Sequence, residues 1–267
     1  MASSGLLTGA TAQERDAGLP RWEVGVFAGS ASTPAYPASA DRAALALVVP
    51  VLVYRGEVLR ADREGVGAWL FRSDNLEFDL GFAASLPSKS DGSAVRKGMP
   101  DLGTLVEFGP RLNLTLARPA PGYRVQFELP VRAALEIGGG VRRQGYTIEP
   151  KLSYELRDRT RGWDFTASAG LVWGDAQINS FFYGVSPAYA TATRPAYAAQ
   201  QGLIATRLGL RSSKQVTPDL RVYGFVRQEF FDAGANQASP LYQQPNGASV
   251  GLGLVWMLGR SEKKVPQ

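Results

Sequence analysis

The chain has 267 residues, 45% of them hydrophobic, with a net charge of +5 and a mean hydropathy of -0.12. It contains neither Cys nor His, which removes disulfides, thiolate sites, the Ser-His-Asp triad and imidazole acid–base chemistry. No run approaches the roughly 18–20 apolar residues of a membrane-crossing helix, although a transmembrane barrel hides its apolar residues at alternate positions and averages near zero hydropathy.

Residues 1–20 read as a flexible tail or the remnant of a signal peptide. Ala10-Thr11-Ala12 has the small residues of a cleavage site, but Leu6-Leu7 is the only apolar pair before it and no basic segment precedes that pair. The body is expected to span residues 21–258, with residues 259–267 as a periplasmic tail. From Arg21 on, strand-like segments alternate with turns, and no stretch of useful length has a helical period. The first strand covers about Arg21 to Ser30, with Trp22, Val24 and Val26 on one face. A loop of Pro, Ala and Ser follows. Ala44 to Arg55 is apolar at nearly every position and carries Pro50, as fits a strand with a small lumen-side face or a bulge at the proline.

Arg55-Gly56 reads as a tight turn, followed by short strands at Glu57–Asp62 and Val66–Arg72. Leu76 to Leu86 alternates, with Glu77 and Asp79 opposite its apolar face. Residues 87–101 form a polar loop. Leu102 to Leu116 sets Glu107 and Arg111 against Val106, Phe108 and Leu112. Tyr123 to Ile137 has the clearest pattern: every odd position is apolar, while the even ones include Arg124, Glu128, Arg132 and Glu136. A period of two becomes two faces only in an extended strand. Tyr146 to Leu156 alternates in the same way.

Trp163 to Trp173 carries Trp at both ends of one face, with small or aliphatic residues between. At a rise of about 3.3 Å per residue and a tilt of about 40°, such a strand spans about 25 Å, the height of the apolar band between the aromatic girdles of a barrel. Trp22, Tyr123, Trp163, Trp173 and Trp256 are the expected girdle. Residues 175–198 form the longest loop, rich in aromatics. Gly202–Arg211 and Leu220–Phe231 make a strand pair, and Ala248–Leu258 is the last strand.

These segments predict an all-β fold, a closed antiparallel transmembrane β-barrel of about 12 strands, with ten as the alternative. With twelve, the long loops at 31–42, 87–101, 175–198 and 232–246 share one side and the short turns share the other, the asymmetry of outer-membrane barrels. A soluble β-sandwich is the competing fold. It would need about half of the apolar faces to pack on the rest, and it gives no reason for the Trp spacing.

The second half resembles the MipA/OmpV, or MltA-interacting protein, family of outer-membrane proteins. The resemblance lies in Ser180–Ser186 (SFFYGVS), Gln201-Gly202-Leu203, Val216-Thr217-Pro218 and Gly251-Leu252-Gly253-Leu254. Tyr54 and Arg72-Ser73-Asp74 with Leu76 are similar to the family's first half. The chain departs from the family in continuing past Leu258 and in its missing signal peptide. The resemblance implies a scaffold or interaction protein in the Gram-negative outer membrane, linking a murein transglycosylase to a peptidoglycan synthase. It assigns no role to individual residues.

The expected lumen charges are Glu77, Asp79, Glu107, Arg111, Arg124, Glu128, Arg132, Glu136, Arg207 and Arg227, read as cross-strand ion pairs filling a narrow interior. The competing reading is a channel for small polar or charged solutes. The loop aromatics Phe181, Phe182, Tyr183 and Tyr189 are the candidate contact surface, or else a self-packed loop in the barrel mouth. Gly138-Gly139-Gly140 reads as a hairpin turn, since no Lys-Ser/Thr or helix follows it. The interleaved charges leave no nucleic-acid arm. No enzyme activity, metal or cofactor is expected, and outer-membrane lipid is the expected surrounding.

Overall fold

The structure is a computed structural model that describes residues 19–55, 59–62, 65–138 and 140–265. The expectations for Met1 to Gln13, Gly56, Glu57 and Gly139 lie outside the described residues.

Among the described residues, twelve strands of the main sheet run in sequence: β1 (Trp22–Pro34), β2 (Arg42–Arg55), β3 (Leu59–Asp62), β4 (Gly65–Arg72), β5 (Leu76–Ala84), β6 (Thr104–Ala117) and β7 (Tyr123–Ile137). They continue with β8, formed by Val141–Ile148 and Lys151–Asp158, then β9 (Trp163–Gly174), β10 (Gly202–Gln215), β11 (Leu220–Phe230) and β12 (Asn246–Arg260). Each pairs antiparallel with the next in sequence. Among the described residues β12 then pairs with β1, so the ladder of pairings returns to its start. This satisfies the backbone without an open edge, the condition lipid imposes.

β8 is a single strand interrupted at Glu149-Pro150. Pro150 has no N–H to give, but its carbonyl accepts from Leu171, and Glu149 N–H donates to the Pro130 carbonyl. The in–out alternation continues across the break. Several segment ends differ from expectation: β5 stops at Ala84, β6 starts at Thr104, β8 begins at Val141 rather than Tyr146, and β10 runs past Arg211 to Gln215. β1 extends to Pro34, and β12 runs past Leu258 to Arg260, where Leu19–Pro20 pairs with Lys264–Val265. The expected long loop also contains a helix, α1 (Ala176–Tyr183).

The burial is inverted relative to a soluble protein. Buried polar and charged side chains outnumber buried apolar ones, while Val48, Leu52, Leu116, Val131, Leu152, Leu171, Leu208, Leu252 and Leu258 stand exposed around the outside. A belt of exposed apolar side chains around the whole molecule is rare on a soluble monomer. In lipid it is the matched surface. The long connections 35–41, 85–103, 175–201 and 231–245 gather at one end together with the short turn 138–140, and the connections 73–75, 118–122, 159–162 and 216–219 lie at the other.

Candidate functional site

The interior is the site. On β7, Gln126, Pro130, Ala134 and Glu136 are buried and Val131 and Ile137 are exposed, so the even face points inward. Register then sets the partners. Arg111 on β6 makes a two-pronged pair with Asp79 on β5, at 2.9 and 2.7 Å. Arg124 donates twice to Glu155 on β8, at 3.1 and 2.7 Å. Glu128 takes Lys151 at 3.0 Å and the Ser153 hydroxyl at 2.6 Å.

Nearer the long loops a connected row crosses several strands. Glu107 accepts from Thr147 at 2.8 Å and lies 3.9 Å from Arg132. Arg132 reaches Glu149 at 3.1 Å. Arg207 on β10 bridges Glu149 on β8 and Glu229 on β11, at 2.5 and 2.8 Å. The intervening ladder position on β9 is Gly170, so no side chain stands between them. Arg227 lies 3.5 Å from Glu229. Glu136 is held at the rim by Gly103 N–H, Gln144 and Arg142. Glu77 also sits on the inward face of β5 with a partner. The Arg221–Asp164 pair at 2.5 Å is an addition: Asp164 is not among the expected charges, although it alternates with Trp163 and Phe165.

The interior is divided. Between β5 and β11 the wall is charged. On β2 the inward set is Ala43, Leu45, Leu47, Val49, Val51 and Val53, facing Phe27, Gly29 and Ala31 on β1 and Gly251 and Gly253 on β12. The apolar sequence of β2 therefore makes two apolar faces, and Pro50 stands in the ladder opposite Val26, facing outward.

The mouth at the long-loop end is filled. Ile178, Tyr183 and Phe231 pack with Ala38 onto the inward-facing Leu105, Ala134, Val172 and Ala205. Beside them Tyr36, Leu102, Val185 and Leu241 form a second cluster. Each of the four long loops contributes. Asp175 caps α1, accepting from Ile178 N–H at 2.9 Å. Asn179 donates to the Gly174 and Asp175 carbonyls and accepts from Asn236, tying two loops together. Arg194 donates to the Val95 and Lys97 carbonyls. The Tyr36 hydroxyl donates to the Leu241 carbonyl at 2.8 Å, and the Arg96 guanidinium lies 5.5 Å over its ring. Burial pushes Tyr36 up to about 12, against the pull of the Arg96 charge, and burial lowers Arg96 itself. Burial likewise raises Tyr183.

Of the loop aromatics, Phe181, Phe182 and Tyr183 thus belong to the packed plug, and Tyr189 lines a groove at its surface. Sequence reasoning missed Asn179, Asn236 and Arg96, whose partners are remote in the chain. Trp22, Tyr123, Trp163 and Trp256 lie toward the short-turn end, with Tyr54 opposite Trp22 and Tyr154 against Tyr123, while Trp173 lies at the far end of β9.

A polar interior inside an apolar exterior, on a ring of twelve antiparallel strands, defines an outer-membrane β-barrel protein of the Gram-negative type. The model of the family described as MltA-interacting protein MipA matches residues 25–258, and the chain belongs to that family. A search among curated proteins finds no match. Among solved structures, the chain is similar to the COG4313 outer membrane channel from Pseudomonas putida F1, at 11% identity and a TM-score of 0.45, covering 94% of this chain and 100% of that one. The NanC porin is similar at 12% identity and a TM-score of 0.40, covering 88% and 100%. The outer membrane phospholipase A from Escherichia coli is similar at 11% identity and a TM-score of 0.36, covering 88% and 92%.

Proposed function

We propose that this protein is a non-enzymatic outer-membrane scaffold that holds a murein transglycosylase, and with it a peptidoglycan synthase, at the periplasmic face. The observation that carries the reading is the mouth plug. Four loops converge into two apolar clusters seated on the lumen wall, above a row of paired charges. That construction favours a rigid anchor over a conduit. The family's name, MltA-interacting protein, points to an MltA-type partner. The short-turn end, periplasmic by loop length, offers a rim of mixed charge for a docked enzyme, with Arg118, Arg161, Lys214 and Arg260 beside Asp158 and Asp219.

A channel for small polar solutes is the second reading, favoured by the charge-lined interior. Planar-bilayer recording on the purified protein separates the two, with a pull-down of an MltA-type murein transglycosylase run alongside. A silent bilayer with retained transglycosylase supports the scaffold. Steady single-channel currents without retention overturn it.

A further inference from the structure

We propose that the lumen binds a single-chain amphipathic anion, with its charged head on Arg211 and its alkyl chain along the apolar wall. A cavity of about 370 Å³ lies inside the barrel, lined by Phe27, Leu45, Leu47, Leu86, Phe225 and Arg211. That is toward the lower end of the ~300–1,000 Å³ of small-molecule sites. Arg211 stands in register with Phe225 on one side and Thr166 on the other. Arg207 and Ser213, on the same face of β10, are held inside by Glu149, Glu229 and Arg221, which fixes Arg211 as lumen-facing. It is closer to Gln215, at the short-turn end of β10, than to Gly202, so Arg211 stands beyond the charged row, while Leu86 and Leu45 bound the cavity from the long-loop side.

Arg211 differs from its neighbours. Arg111, Arg124, Arg132, Arg207, Arg221 and Arg227 each meet a carboxylate within the lumen. Arg211 is exposed and has no hydrogen-bond or ion-pair partner among the described residues. The nearest inward carboxylate on β9, Asp164, is taken by Arg221. The wall beside it is smooth. The Phe225 ring covers Gly251, and the Phe27 ring covers Gly29 and Gly253, where a Cβ would fall within 3 Å of the ring. A free guanidinium at the edge of an aromatic and aliphatic wall complements one negative head on a hydrocarbon chain. A multiply charged or fully polar solute would strand its polar groups against Leu45, Leu47 and Phe27.

The proposal is independent of the scaffold reading, and its test does not use a partner. The full chain is placed in nanodiscs and titrated with decanoate by calorimetry, with empty discs as the blank for lipid partitioning. Decanoate is expected to bind saturably, and decyltrimethylammonium, with the same chain and opposite charge, is expected not to. Arg211→Gln should weaken decanoate at least tenfold, and Arg211→Lys should restore part of the loss. Because Arg211 holds no partner in the fold, both variants keep heat-modifiable migration. Decanoate uptake equal to that of empty discs overturns the proposal. So does equal affinity in wild type and Arg211→Gln.

Discussion

Leu129 and Glu128 are adjacent on β7 and face opposite media. Leu129 sits mid-strand on the lipid face, opposite Leu112, and Glu128 faces Lys151 and Ser153 in the lumen. Leu129→Arg should lower unfolding stability in lipid by about 2–4 kcal/mol, the midplane cost of a cation on the lipid face of a barrel. Glu128→Gln keeps an acceptor for Ser153 and loses only a partly hydrated ion pair, so its cost should be well under half of that. Urea midpoints in lipid vesicles read both, and equal costs would put β7 in the wrong register. The odd–even pattern of this strand made its two faces legible in the sequence. The ion-pair partners were not legible, because they depend on register. A bulge between Ala134 and Leu135 brings Glu136 to Arg142, and the break at Glu149-Pro150 leaves Glu149 between Arg132 and Arg207.

At the scale of elements, the strands were readable and the plug was not. Tyr123–Ile137 and Trp163–Trp173 alternate so cleanly that their ends hardly move. Helix α1 has eight residues and is fixed by a cap, by Asn179 and by tertiary packing, none of which produces a helical period in the sequence. β2 also misled, since an apolar residue at nearly every position erases the alternation that tells lumen from lipid. The plug carries a pH dependence of its own. Tyr36 titrates near 10 when unfolded and near 12 in place, raised by burial, with Ser39 and Asp41 as its other charged or polar neighbours beside Arg96. A raised folded value means the neutral phenol is preferred in the packed loop. Its contribution is whole below pH 10 and is lost as pH rises from about 10 through about 12. Protease cleavage within residues 231–245 should therefore accelerate over that interval. In Tyr36→Phe, which lacks the proton, the acceleration should be smaller, although the Leu241 hydrogen bond is lost at every pH. An identical rise in both proteins would place the titration elsewhere.

For the molecule as a whole, the barrel and its plug rest on different interactions. The ring of strands is held by backbone ladders and by contact with lipid, and the mouth is held by side chains of the four long loops. Removing one loop should then open the mouth without undoing the barrel. Replacing residues 232–244 with a short Gly-Ser linker takes away Leu241, the Asn236 tie to Asn179 and the Ser239 bond to the Tyr183 carbonyl. It leaves every strand pairing of β11 with β12 in place. The expected product still migrates faster unboiled than boiled in a detergent gel, the mark of an intact barrel. In planar bilayers it should pass current where the native chain is silent. If it is folded but also silent, the seal lies deeper, in the row Glu107–Arg132–Glu149–Arg207–Glu229. The same linker combined with Arg207→Ala, which leaves Glu149 and Glu229 without their shared cation, is then the variant expected to conduct. If the linker variant has lost heat-modifiability, the loops help hold the strands together and the division between barrel and plug is wrong.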